Sequence, residues 1–286
     1  MIRAAVLGSP ISHSLSPTLH NRAYEVLGIP GKYDAIEISE VEFPQFFAEA
    51  TALDAKVNWR GFSLTMPLKE IVTDALTQVD PLAKRIASAN TILIDRNSHE
   101  VNVKILSTDV LGFSAIFDRL TINQDSSVAI IGGGGTARAA LAALDGLVSN
   151  IRVYQRSEKR NELVKNAASL SSVNFHDFNM LNDISGYSLI ISTLPSIASK
   201  VVVAEIPTKL RENQVFLDVA YSPFPSAPSI AWQNAGGVVI GGVELLIRQA
   251  LEQIRLMTLT NFETDYMYEE LRTHVMAVIT APLTPL

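Results

Sequence analysis

The 286-residue chain has no cysteine, no long apolar run and no run of Lys and Arg. The lack of cysteine excludes disulfide bonds and thiolate chemistry. No segment reaches the ~18 consecutive apolar residues needed to span a membrane, and the N-terminal MIRAAVLGSPISHS lacks the apolar stretch of a signal peptide. Lys and Arg number 23 against 29 Asp and Glu. These absences predict a cytoplasmic protein that binds neither membranes nor nucleic acids.

The residues that are present favour a folded α/β protein. Hydrophobic residues make up 48% of the chain and charged residues 18%, which suffices for a buried core. Short apolar segments of strand length alternate with helical patterns, as in α/β proteins. The length suits two domains.

A glycine-rich turn lies near the middle of the chain, in VAIIGGGGTARAALAALDG. Gly132 to Gly135 follow an apolar strand and precede an alanine-rich helix. Glycines at such a turn let a pyrophosphate approach the backbone, and the N–H groups at the helix start favour an anion. Because another strand follows about 20 residues on, the pattern favours dinucleotide binding over a merely tight turn.

The strand after this helix ends in YQRSEKR, residues 154–160. An Asp or Glu at its tip would bind the ribose 2′-hydroxyl of NAD and repel a 2′-phosphate. The tip carries no acid, and a helix expected to begin near Glu158 places Lys159 and Arg160 at its positive end, where a bound anion would offset their charge. This favours NADP, with an ordinary solvated charge cluster as the alternative.

Two segments of the first half place polar residues at helix starts. In GSPISHSLSPTLHN, Ser14 and Ser16 lie two apart and could face one carboxylate, although Ser16 alone is better explained as an N-cap before Pro17. In GFSLTMPLKE, Lys69 lies in the first turn of a Pro-initiated helix, a position that suits proton transfer, although an isolated lysine is usually a solvated side chain. The histidines lack metal-ligand spacing, so no metal is predicted.

The chain as a whole resembles the shikimate dehydrogenase family (shikimate/quinate dehydrogenases), in a form like its actinobacterial members. The resemblance is carried, in order, by GSPISHSLSPTLHN, LTMPLK, SANT, STDVLG, GGGGTARA, RSEKR, DVAYSP and GGVELLIRQA. It implies a two-domain α/β fold: an N-terminal α/β substrate-binding domain at 1–106, completed by C-terminal helices at 243–286, and a Rossmann-type NADP-binding domain at 107–242. The family reaction is the reversible, NADPH-dependent reduction of 3-dehydroshikimate to shikimate in chorismate and aromatic amino acid biosynthesis.

The resemblance also implies roles for individual residues. Lys69 would transfer the proton, paired with Asp109. The substrate would be bound by Ser14, Ser16, Thr65, Asn90, Asp109, Tyr221 and Gln249. The pyrophosphate would lie against Gly132, Gly133, Gly134, Gly135 and Thr136, the 2′-phosphate against Arg156, Ser157 and Arg160, and the nicotinamide near Val219 and Gly242.

The sequence departs from the usual family pattern at several positions, and two alternatives stay open. Ser63, Ser107 and Gln155 each stand where Asn is usual. One alternative is an NAD-using quinate/shikimate dehydrogenase of broader specificity, because quinate differs by one hydroxyl. The other is a non-catalytic NADP-binding sensor, which would have no need of Lys69 and Asp109. A monomer or homodimer acting on a small molecule is expected.

Overall fold

The computed structural model of the chain describes residues 1–76, 78–181 and 184–280. The end of the C-terminal segment assigned to the first domain, 281–286, therefore lies outside the described residues. The chain divides into two compact units. Met1–Thr108 and the chain from Ile247 onward form the first unit, and Asp109–Leu246 forms the second.

The first unit is built on a sheet that, in the described residues, has five strands. These are Ile2–Gly8 (β1), Gly31–Glu37 (β2), Trp59–Leu64 (β3), Thr91–Arg96 (β4) and Val101–Leu106 (β5), in the order β2-β1-β3-β4-β5. β1, β2 and β3 run parallel, and β4 runs antiparallel to both of its neighbours. The ends of β1, β3 and β5 and the start of β4 therefore share one edge.

Apolar side chains cover both faces of this sheet. The helices of the first 107 residues are Ser16–Val26 (α1), Phe43–Thr51 (α2), Leu68–Ala75 (α3) and Pro81–Arg85 (α4). Ala5 and Leu7 of β1 belong to one buried cluster, and Ala4 and Val6 belong to another. Since strand side chains alternate between faces, a strand buried on both faces has the continuous apolar run seen in β1.

The second unit contains a parallel sheet with the Rossmann strand order. Within the described residues its strands are Val128–Ile131 (β6), Asn150–Gln155 (β7), Ser172–Asp177 (β8), Leu189–Ser192 (β9), Val215–Asp218 (β10) and Val238–Gly241 (β11). The order β11-β10-β9-β6-β7-β8 reverses between β6 and β9, as in dinucleotide-binding folds. The predicted α/β fold class with a Rossmann-type second unit is confirmed.

The remaining α-helices of the described residues lie between Thr108 and Ile279. They are Thr108–Phe117 (α5), Gly135–Leu144 (α6), Asn161–Asn166 (α7), Lys200–Val203 (α8), Ala227–Asn234 (α9), Gly242–Thr258 (α10) and Thr264–Ile279 (α11). Residues of α10 from Ile247 onward belong to the first unit. Among the described helices, none combines the length and the apolar character needed to cross a membrane.

Two helix starts differ from the sequence expectation. α1 begins at Ser16 itself, and its N-cap is Leu15, whose backbone is already helical and whose side chain cannot cap. The Ser14 hydroxyl accepts the Ser16 N–H at 3.4 Å, so the capping contact comes from two residues earlier. The helix expected at Glu158 is a 3-10 turn, Glu158–Arg160, before α7. Its N-cap is Ser157, whose hydroxyl accepts the Lys159 N–H at 3.3 Å.

Candidate active site

The ends of β1 and β3 in the first unit approach each other closely. The Thr65 N–H donates to the Leu7 carbonyl at 2.9 Å. A Cβ at Gly8 would overlap the Thr65 methyl group and lie 2.8 Å from the Met66 carbonyl oxygen. Gly8 is therefore required for this approach, which holds Thr65 at the edge where parallel strands commonly bind ligands.

Lys69 lies in the first turn of α3, as the sequence predicts. The helix starts directly after Pro67, and Lys69 is its second residue and half-buried. The Lys69 carbonyl accepts the Ala89 N–H at 2.8 Å, which ties this turn to the segment before β4.

Asn90 and Gln249, both predicted to bind substrate, are in direct contact. Asn90 immediately precedes β4 and is 3% exposed. Its Nδ2 donates to Gln249 Oε1 at 3.1 Å, and its Oδ1 accepts the Thr108 N–H at 2.7 Å. Gln249 lies on α10, so residues 159 positions apart form one polar cluster. The backbone bond from Thr108 fixes which end of the Asn90 amide points toward Gln249.

Ser14, Ser16 and Asp109 occupy the loops and helix starts that leave the strand ends. Ser14 is half-buried in the loop after β1, and Ser16 is buried at the start of α1. Asp109 is the second residue of α5, directly after Thr108, and is 5% exposed. These positions supply hydroxyl donors and one carboxylate acceptor.

The glycine turn of the second unit has no room for a Cβ at Gly132 or Gly133. Gly132 follows β6 with φ +118°, a conformation that other residues rarely adopt, and a Cβ there would overlap Thr193 Oγ1. A Cβ at Gly133 would overlap Gln155 Oε1. Gly134 is the N-cap of α6 and has no side chain to cover its first N–H groups. Gly135 and Thr136 then form the first turn.

Buried groups around this turn also fit a dinucleotide. Gln155 is buried, and its Nε2 donates to Asn161. No donor in the described part of the chain reaches the buried Gln155 Oε1, which could accept a ligand hydroxyl. Arg138, fully buried in α6, donates to the Gly133 carbonyl at 3.1 Å and holds the turn in place. Both observations suit a pyrophosphate against the backbone and a ribose beside it.

The predicted 2′-phosphate residues lie on the surface after β7. Arg156, Ser157 and Arg160 are all exposed. Arg160 occupies the N-cap position of α7. Two guanidinium groups within five residues at the end of this strand form a basic surface that a phosphate can reach.

Val219 and Gly242 lie together at the ends of β10 and β11. A Cβ at Gly242 would overlap the Val219 carbonyl, so only glycine permits this approach. Asp218, fully buried, anchors the turn, since it accepts from the Ser226 hydroxyl at 2.5 Å and the Ala220 N–H at 3.2 Å. Burial raises the pKa of Asp218 and that of the nearby Tyr221 hydroxyl.

Sequence reasoning missed three residues that organise these regions: Thr108, Asp218 and Gln253. Gln253 is fully buried on α10, one turn after Gln249. A polar residue in the apolar stripe of an amphipathic helix was the available signal. Among the described residues, no group of three or more His, Asp or Glu side chains is arranged to hold a metal ion.

Comparison with known proteins gives consistent matches. Residues 6–92 match the family model described as the shikimate dehydrogenase substrate binding domain. The curated shikimate dehydrogenase (NADP(+)) of Natronomonas pharaonis is 27% identical over 268 residues, covering 93% of this chain and 97% of the relative.

Solved structures show that the similarity includes the three-dimensional fold. A Mycobacterium fortuitum shikimate 5-dehydrogenase is 30% identical with a TM-score of 0.74, covering 95% of this chain and 97% of that one. A Thermus thermophilus shikimate 5-dehydrogenase, solved in complex with NADP(H) and shikimate, is 26% identical with a TM-score of 0.75, covering 96% and 100%. The strand order, the glycine turn and these full-length matches lead to one conclusion: this chain belongs to the shikimate dehydrogenase family.

Proposed function

We propose that this protein catalyses the reversible, NADP-dependent interconversion of 3-dehydroshikimate and shikimate. The observation that carries the proposal is the polar edge of the first unit's sheet. There the segment with Thr65 and Lys69 bonds to Ala89, and the adjacent Asn90 bonds to Gln249, 159 positions away in the chain. Full-length relatives named as NADP(+) shikimate dehydrogenases support the reaction. The complex of the Thermus thermophilus relative with NADP(H) and shikimate supports both ligands.

Each residue predicted to bind substrate has a proposed task. The hydroxyls of Ser14 and Ser16 bind the substrate carboxylate, since hydroxyl donors at a helix N-terminus favour an anion. Thr65, Asn90, Tyr221 and Gln249 bind the hydroxyl groups of the ring. Amide and hydroxyl side chains both donate and accept, so they suit a polyol.

Lys69 is proposed to move the proton. The bound NADPH supplies the hydride. The Lys69 ammonium donates a proton to the carbonyl oxygen of the substrate during reduction, and it stabilises the negative charge that develops on that oxygen. In shikimate oxidation the same amine accepts the proton. Asp109 keeps its predicted roles as second catalytic residue and acceptor for a substrate hydroxyl.

The second unit is proposed to hold the cofactor. Gly132 to Thr136 would hold the pyrophosphate against the backbone of the turn. Val219 and Gly242, which lie in close contact, would lie near the nicotinamide. Arg156, Ser157 and Arg160 bind the 2′-phosphate, because a guanidinium pairs well with phosphate oxygens. The residue set therefore favours NADP over NAD.

The test is oxidation of shikimate and of quinate by the purified protein, each with NADP and with NAD, followed by the absorbance of the reduced nicotinamide. Turnover with shikimate and NADP well above the other three combinations is expected. Comparable turnover with quinate or NAD would instead assign the chain to a broader-specificity dehydrogenase. Absence of turnover in all four would contradict catalysis and favour an NADP-binding sensor.

A cytoplasmic location and a monomeric or homodimeric state complete the proposal. Light scattering after size-exclusion chromatography tests the state of assembly.

A further inference from the structure

Gln253 is a fully buried amide on the buried side of α10. Ala250, Ile254 and Met257 around it on the helix are buried and apolar. A buried amide is costly unless both of its ends are hydrogen-bonded. The bonds that satisfy Gln253 therefore show what its side chain does.

The oxygen of Gln253 accepts from a chain of buried donors. Ser63 Oγ donates to Gln253 Oε1 at 2.6 Å, and the Tyr33 hydroxyl donates to Ser63 Oγ at 2.5 Å. His20 Nε2 lies 3.3 Å from the same Oε1, and the His20 ring stacks on Tyr33 with centroids 3.9 Å apart. Because Oε1 can only accept, His20 carries its proton on Nε2. These partners leave the Gln253 amide one orientation.

The nitrogen of Gln253 donates to the segment that carries Asn90. Gln253 Nε2 donates to the Asn90 carbonyl at 3.2 Å and to Thr91 Oγ1 at 2.9 Å. Thr91 Oγ1 in turn lies 3.2 Å from Asn90 Oδ1 and 3.0 Å from Thr108 Oγ1. Gln253 thus bonds to both the backbone and the immediate neighbour of Asn90, one helical turn after Gln249, which bonds to the Asn90 side chain.

We propose that Gln253 is a positioning residue for substrate binding, acting through Asn90 and Thr91. The inference rests on the proposed function, in which Asn90 binds a substrate hydroxyl. A neutral amide is suited to this task because it accepts two hydrogen bonds at its oxygen and donates two at its nitrogen. A carboxylate could not donate to the Asn90 carbonyl, and an apolar side chain could neither donate nor accept a hydrogen bond.

The experiment compares wild type with Gln253→Met, which keeps the length of the side chain and removes its hydrogen bonds. The KM for shikimate is expected to rise about tenfold, with kcat changed less than about twofold, because the lost contacts orient a binding group and not the reacting atoms. The KM for NADP is expected to stay unchanged.

The matched control is Gln214→Met in the second unit. Gln214 is also buried, and its amide holds backbone groups: Nε2 donates to the carbonyls of Ser185 at 2.6 Å and Tyr187 at 2.7 Å. Both Gln253→Met and Gln214→Met are expected to lower the melting temperature. Gln214→Met should leave the KM for shikimate unchanged. A gentler variant, Ser63→Ala, removes one bond to Gln253 Oε1 and should raise the KM for shikimate about threefold.

The outcomes separate the inference from the proposed function. If wild type does not oxidise shikimate, the proposed function fails and the inference fails with it. If wild type is active but Gln253→Met and Ser63→Ala both keep the wild-type KM for shikimate, only the positioning role is overturned. Should Gln253→Met not fold, Ser63→Ala decides alone. An equal rise in the KM for shikimate in Gln253→Met, Ser63→Ala and Gln214→Met would also overturn the positioning role, because the effect would then follow from lower stability alone.

Discussion

Polar groups at the sheet edge of the first unit are side chains bonded to one another, whereas those at the glycine turn of the second unit are mainly backbone groups. Asn90 is held by Thr108 and Gln249, and Gln253 holds the segment behind it. At the turn, by contrast, Gly132 and Gly133 leave no space for any side chain. A rigid network of side chains can discriminate between similar polyols, while bare backbone binds a phosphate group common to many ligands. The two units should therefore respond differently to substitution.

The largest expected effect is on the chemistry assigned to the first unit. Lys69→Ala should lower kcat about 10²–10⁴-fold, the usual contribution of a positioned proton donor, with little change in the KM for NADP. Lys84→Ala, which removes an exposed lysine from α4, is the matched control and should retain wild-type turnover. Near-normal turnover by a folded Lys69→Ala protein would remove Lys69 from the mechanism.

Substitution in the glycine turn should have a smaller effect, which should appear as a higher KM for NADP and not for shikimate. Gly132→Ala should raise the KM for NADP about 10–100-fold, because the strained φ of +118° and the contact with Thr193 both oppose a side chain. In Gly133→Ala the obstacle is the flexible end of Gln155, so Gly133→Ala/Gln155→Ala should recover part of the affinity. Equal effects on the KM for shikimate would show that the turn does not act through the cofactor alone.

The buried network of the first unit should make stability depend on pH. Burial lowers the pKa of His20 to about 3, against 6.5 for an unperturbed histidine. Below pH 6.5 the unfolded chain binds a proton at His20 that the folded protein does not, so this contribution to stability is complete above pH 6.5 and declines toward pH 3. The loss is about 1.4 kcal/mol at pH 5.5.

The comparison variant is His20→Phe, which keeps a ring to stack on Tyr33. Between pH 7.5 and pH 5.5, the free energy of unfolding measured by urea titration should fall by about 1.4 kcal/mol more in wild type than in the variant. Parallel pH dependence in the two proteins would mean that folding does not change the pKa of His20.

The smallest effect is expected at the exposed arginines. Arg156→Ala should lower kcat/KM with NADP between about three- and tenfold and leave kcat/KM with NAD unchanged, because solvent screens an exposed ion pair. Arg211→Ala, another exposed arginine of the second unit, should change neither. Equal losses with both cofactors would contradict a role at the 2′-phosphate.

The second unit was the more predictable of the two because its signals are local. The glycine run, its flanking strand and its helix are contiguous, so the turn could be assigned from a short segment. The network behind Asn90 could not be found this way, since Gln253 and Ser63 are 190 positions apart and meet only in the folded chain. The prediction that Ser16 is the N-cap of α1 was wrong for a local reason. Leu15 already has helical dihedrals, and the Ser14 hydroxyl makes the capping contact.

The division of the first unit between both ends of the chain has a consequence for its synthesis. Residues from Ile247 onward belong to this unit, and they include Gln249, Gln253 and Met257. On the ribosome, the second unit therefore emerges whole before the first can be completed. Until α10 arrives, Asn90, Ser63 and His20 each lack the hydrogen bond that this helix supplies in the folded protein. The segment that begins at Ile247 thus closes the core of the first unit.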